Sequence, residues 1–217
     1  MTTGRLPSTI AAPVEHTLEI KRSVFLTHLA PVASVEEADA VIAAVRKLRW
    51  DARHHCTALV VGTRADRQRS NDDGEPAGTA GVPMLEVLRR REVTDVVAVV
   101  SRWFGGVLLG AGGLVRAYGN AVASALDDAD VVGRALRTQV SMEVPHADAG
   151  RVLAFLHQWV GGHDAVLDPP TYGQAAVLSL WVPADQVPTL DADLAALTGG
   201  AVATHAGEIR VVDLPAR

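Results

Sequence analysis

The clearest periodic signal lies near the start of the chain. In "TLEIKRSVFLTHLAPV" (17–32), Leu18 and Ile20 alternate with polar neighbours, and Phe25 and Leu29 follow beyond Lys21-Arg22-Ser23. Such alternation predicts one or two half-buried strands. The period then lengthens. In "SVEEADAVIAAVRKL" (34–48) a stripe of Ala38, Val41, Ile42, Val45 and Leu48 predicts a helix, and Ser34 with Glu37 fits a capping box. "CTALVVG" (56–62) reads as a short buried strand, and the polar residues 62–78 as a long mobile loop of the kind that often carries function. "VPMLEVLRRR" (82–91) resumes as a short helix with Pro83 in its first turn. "DVVAVVSRWF" (95–104) is a strongly apolar strand, and an Ala-rich helix is expected from Leu114 to about Asp128.

A second pattern starts at "RALRTQVSMEVP" (134–145). It continues with a helix through "AGRVLAFLHQWV", a strand near "HDAVL", the strand "AAVLSLWVP", the helix "QVPTLDADLAAL" and the strand "AVATHAGEIRVV". The order β-α-β-β-α-β predicts a ferredoxin-like domain. The expected fold class is therefore α+β with two domains, residues 1–134 and 135–217.

Charge sharpens this division. Residues 45–126 hold twelve Arg/Lys against eight Asp/Glu, whereas residues 127–217 hold five against twelve. The whole chain of 217 residues carries a net charge of −5. Eighteen of its twenty basic residues are Arg, which suits phosphate recognition but also follows from a GC-rich genome. The single Cys56 excludes an internal disulfide and a multi-cysteine metal cage. "MTTGRLPSTIAAP" lacks the apolar core of a signal peptide, and the apolar window 96–115 is interrupted by Arg102. A cytoplasmic protein without membrane association is expected.

Candidate chemistry concentrates in two segments. "SRWFGGVLLGAGGLVRAYG" (101–119) fails as a nucleotide loop: no Lys-Ser/Thr follows Gly110, and Val115 stands where a dinucleotide fingerprint needs its third glycine. It still forms a helix start, where bare N–H groups and the dipole favour an anion. Arg102, Gly110, Gly112, Gly113, Arg116 and Asn120 make up the expected phosphate seat, with Arg53, Arg64, Arg67 and Arg69 as a basic fringe. Equally open is that Arg102 and Arg116 pair with Asp72, Asp73 or Glu75 and the glycines serve packing. "NDDGEPAGTAG" (71–81) adds a possible polar cluster of His54, Asp72, Asp73 and Glu75, although it lacks EF-hand alternation. His54 and Cys56 share one face of their strand and His55 does not. At least one of Trp103 and Phe104 is expected in the core.

Together these segments resemble the YigZ/IMPACT family. The resemblance rests on "EIKRSVFLTHLAPV", "DARHHCTALVVG", "DDGEPAGTAGVPMLEVL" and "VSRWFGGVLLGAGGLVRAYGNAV", in that order, over roughly residues 15–126. It implies an N-terminal α/β sandwich akin to a domain of a ribosomal protein and of translational GTPases, followed by a ferredoxin-like domain. Trp103 stands where the family usually has Tyr, and Ala77 where it has Ser. The kinase-linked regulation of eukaryotic members depends on an additional N-terminal domain and is not expected to transfer. The function implied is non-enzymatic association with nucleic acid or the ribosome and a role in translation regulation. No cofactor, resident metal or catalytic residue is expected. The competing expectation is a metal-dependent hydrolase or phosphate-ester enzyme using the DDGEP loop. RNA or the ribosome is the expected partner, with a protein partner through the C-terminal domain as a further possibility.

Overall fold

The computed structural model of the chain describes residues 6–214. The first five residues of the stretch read for a signal peptide lie outside them. The chain divides into two compact units between Gly133 and Arg134. The fold class is mixed α+β. No helix among the described residues is long and apolar enough to cross a membrane.

The first unit is built on an antiparallel sheet. Strands β2 (Val14–Ile20), β3 (Ser23–Pro31), β4 (His54–Val61), β5 (Arg67–Asn71) and β6 (Val96–Trp103) lie in the order β2-β3-β6-β4-β5. Short strands β1 (Thr9–Ile10) and β7 (Val131–Val132) pair separately. Helix α1 (Val35–Leu48) covers one face, where Val97 and Val99 pack with Ala38, Val45 and Leu59. Helices α2 (Gly81–Arg90) and α3 (Ala111–Asp127) cover the other, where Val96, Ala98 and Val100 meet Met84, Leu88, Tyr118 and Val122. Burial on both faces explains why β6 is a continuous apolar run rather than an alternating one.

Four sequence expectations change. The stretch 62–78 is not one loop, because β5 pairs with β4 from Thr57↔Asn71 to Val61↔Arg67. Its polar sequence hid it; β5 has a neighbour on only one side, so exposed Arg and Gln side chains are tolerated. Helix α3 starts at Ala111, three residues before Leu114, with Gly110 as its N-cap at φ 70°. In α1 Ser34 caps the helix, Glu37 N–H donating to Ser34 Oγ at 3.2 Å, but the Glu37 carboxylate accepts from the Ala33 N–H at 2.7 Å rather than closing the box on Ser34, and Leu48 leaves the apolar stripe and is 64% exposed. Neither aromatic after Arg102 is core: Trp103 is half-buried, its Nε1 donating to Asp51 Oδ2 at 2.9 Å, and Phe104 is 44% exposed.

The second unit contains β8 (Arg134–Val144), α4 (His146–His163), β9 (Val166–Leu167), β10 (Thr171–Tyr172), β11 (Ala176–Val182), α5 (Val187–Thr198) and β12 (Thr204–Asp213). Its sheet runs β10-β11-β8-β12, with β9 also pairing β11, and every pairing is antiparallel. Val140, Met142 and Leu180 on one face pack with Leu156 and Trp159 of α4 and Leu190 and Leu194 of α5.

Candidate functional site

Three strands of the first unit place unlike side chains at one level. Phe25 on β3 and His54 on β4 both pair with Arg102 on β6, so the three point to the same face, at the end of the sheet where β6 stops. Arg102 is 6% exposed, and its charge is balanced by Glu75, 9% exposed, through a 2.5 Å contact from Nη1 to Oε1. Nη2 reaches Ser23 Oγ at 3.3 Å. The guanidinium lies 5.3 Å from the Phe25 ring centre and 5.8 Å from that of Phe104. Tyr118 on α3 donates its hydroxyl to the same Glu75 oxygen at 2.7 Å. Burial raises the Tyr118 phenol well above its ordinary range, keeping it a donor.

The two other acidic residues of the DDGEP loop have separate partners. Asp72 accepts N–H bonds from Gly78, Ala80 and Gly81 at 2.8, 3.0 and 2.8 Å, which fastens the loop to the start of α2. Asp73 accepts from the His55 N–H at 2.6 Å and pairs with Arg46 of α1 at 2.7 Å. The His54 ring hydrogen-bonds the Asp73 carbonyl, 2.8 Å from Nδ1. A carbonyl cannot donate, so Nδ1 carries the proton and Nε2 is the basic nitrogen. Asp72, Asp73 and Glu75 share a loop and His54 stands beside it on β4, but the four side chains converge on no common point. Among the described residues no group of three His, Cys, Asp or Glu is placed to hold a metal ion. Cys56, completely buried with its thiol 3.0 Å from the Asp72 carbonyl, is pushed up to about 12 by burial. It is no nucleophile at neutral pH.

Outside the buried pair lies a cavity of about 370 Å³, lined by Arg53, His54, Arg102, Phe104 and the Gly110–Ala111 start of α3. Gly110 has no side chain with which to cap that helix, and its first turn holds no acidic residue. The expected phosphate seat is divided by the structure. Arg102 and Gly110 line this cavity, whereas Arg116 and Asn120 line another of about 400 Å³ between α2 and α3. Arg116 still folds back along its helix: a Cβ on Gly112 would stand 3.8 Å from its Nη1. Of the two alternatives left open, pairing with Glu75 is what Arg102 does, while Arg116 has no ion-pair partner among the described residues.

These motifs are shared with known proteins. The Impact N-terminal domain model matches residues 21–126. YigZ of Escherichia coli (strain K12), described as an IMPACT family member, is 40% identical over 194 residues, covering 88% of this chain and 93% of that protein. The chain belongs to the IMPACT family. The family member YvyE of Bacillus subtilis (strain 168) is 44% identical over 153 residues, 70% of this chain and 65% of that protein. A crystal structure described only as that of a hypothetical protein superposes with a TM-score of 0.60 at 38% identity, covering 94% of this chain and 98% of the other.

Two residues of this candidate site escaped sequence reasoning. Tyr118 sits on the apolar face of α3 one turn beyond Leu114, and Ser23 opens β3. The tyrosine was visible as a polar-tipped aromatic on a buried helix face, which needs an acceptor. Ser23 gave no signal, because its role depends on the packing of the 104–106 segment beside it.

The Asp72 cap has a testable pH dependence. Burial acts to raise its pKa, but the three N–H donors outweigh it and hold the carboxyl below the ordinary range. A depressed folded-state pKa contributes stability above the unfolded value of about 3.9, and that contribution is lost as pH falls through the folded value. Asp72→Ala is expected to cost on the order of 1–2 kcal/mol at pH 7. Urea unfolding at a series of pH values should show the gap to wild type narrowing below about pH 4. A gap independent of pH contradicts the charge-assisted cap.

Proposed function

We propose that the chain is a non-enzymatic, nucleic-acid- or ribosome-associated protein with a role in translation, acting in the cytoplasm. The observation that carries this is the cavity at the uncapped start of α3, with Arg53 and Arg102 on its wall. First-turn N–H groups and the helix dipole favour a phosphate there, and arginine supplies planar donors to it. The first unit is read as the family's α/β sandwich (1–134). The second is read as a ferredoxin-like module (135–217), supported by its strand order and free to serve a protein partner.

Filter binding to purified ribosomes and to RNA over a salt series tests this. Three phosphate contacts imply a loss of roughly 10- to 50-fold in affinity between about 50 and 200 mM salt. Absence of binding at low salt, or affinity indifferent to salt, rejects it.

A further inference from the structure

The cavity joins two walls of opposite character. On one side stand the start of α3, Arg53 and Arg102. On the other are Phe104, 44% exposed, and Leu108, 83% exposed, in a segment that turns at Gly106 and Gly110 with φ of 82° and 70°. Apolar side chains held in water next to a cationic seat suit a ligand that is anionic at one end and flat and apolar at the other. Arg102 stands at this wall with its charge balanced by Glu75, which also lines the cavity, and its Nε has almost no exposed surface. The cation open to a ligand is Arg53, beside the first-turn N–H groups of α3.

The geometry points to a single unpaired nucleotide as the occupant, its phosphate against the first turn of α3 and its base against Phe104 and Leu108. This rests on the RNA-binding reading above and narrows it. A volume of about 370 Å³ admits one such unit and not a helical groove. Paired bases present only their edges, whereas an unstacked base offers a face to an aromatic ring. Selectivity for single strands over duplex follows.

The test measures anisotropy of a labelled, 5′-phosphorylated ten-nucleotide uridine strand and of a duplex with the same number of phosphates. Calorimetric titrations with uridine 5′-monophosphate and with inorganic phosphate run alongside, on wild type, Phe104→Ala and Ala111→Asp. The single strand should bind at least about tenfold tighter than the duplex, and Phe104→Ala should remove roughly that factor while leaving the duplex unchanged. Ala111→Asp should abolish binding of the mononucleotide. An acidic residue in the first turn suits the helix dipole, so this loss cannot be assigned to unfolding. Equal affinity for strand and duplex, unmoved by either variant, overturns the single-nucleotide site and leaves RNA binding standing. Mononucleotide binding that Ala111→Asp removes, without any RNA binding, supports the site and rejects the broader function. Inorganic phosphate binding as tightly as the mononucleotide overturns the base contact, and no binding of any probe overturns both.

Discussion

Glu75→Ala should destabilise the first unit by about 3–5 kcal/mol, the cost of leaving Arg102 buried without its counter-charge. Both residues are more than nine-tenths buried, and Glu75 Oε1 accepts from Arg102 and Tyr118 at once. Removing the carboxylate therefore strands a cation and a phenol together. Taking both charges away should be milder. In the double variant Glu75→Met with Arg102→Met neither charge is left buried, so its loss should be smaller than that of either single change. Replacing an ion pair by apolar side chains of similar volume is often neutral, whereas breaking one is not. Urea unfolding of Glu75→Met, Arg102→Met and their double completes the cycle, with Glu75→Ala measured alongside. A Glu75→Ala loss below about 1 kcal/mol would mean that the pair behaves like a solvated surface bridge.

The same pair shows what the sequence could convey. Asp72, Asp73 and Glu75 lie within four residues and looked equivalent as partners for Arg102. The choice among them is made by tertiary placement: Asp72 is drawn to the start of α2 and Asp73 to β4 and α1, which leaves Glu75 facing β6. Nothing in local spacing encodes that. By contrast, β3, α1 and β6 were legible because one or both faces meet a core, and burial imprints a period on the residues. The edge strand β5 buries too little to leave such a mark. Arg116 and Asn120 were correctly placed on one face of a helix, but it was the wrong face for the cavity. At about 100° per residue, Leu114 follows Gly110 and Ala111 toward the β6 end, while Arg116 and Asn120 turn to the groove against α2. The late start assigned to α3 has a plain cause, since Gly112 and Gly113 are poor helix formers whatever the fold makes of them.

Gly105→Ala should be the most damaging of the small substitutions, at roughly 3 kcal/mol or more. An added Cβ would lie 2.0 Å from the Arg22 carbonyl carbon, 2.1 Å from its oxygen and 2.4 Å from the Ser23 nitrogen. These are backbone atoms of the β2–β3 turn, so no side-chain rotation relieves the clash. The turn itself cannot adjust cheaply, since Lys21 and Arg22 already sit at positive φ, 48° and 64°. Displacement would also reach the site. Ser23 Oγ accepts from the Gly105 N–H and from Arg102 Nη2, both at 3.3 Å, so shifting the turn loosens the second partner of the buried guanidinium. Gly106→Ala provides the comparison: its Cβ would meet nothing within 4 Å, and only its φ of 82° opposes a side chain. That strain alone is worth about 1–2 kcal/mol. Thermal and urea unfolding should rank Gly105→Ala clearly below Gly106→Ala. Equal losses for the two would show that the 104–106 segment is not seated against the hairpin, and with it the wall that holds Arg102 in place.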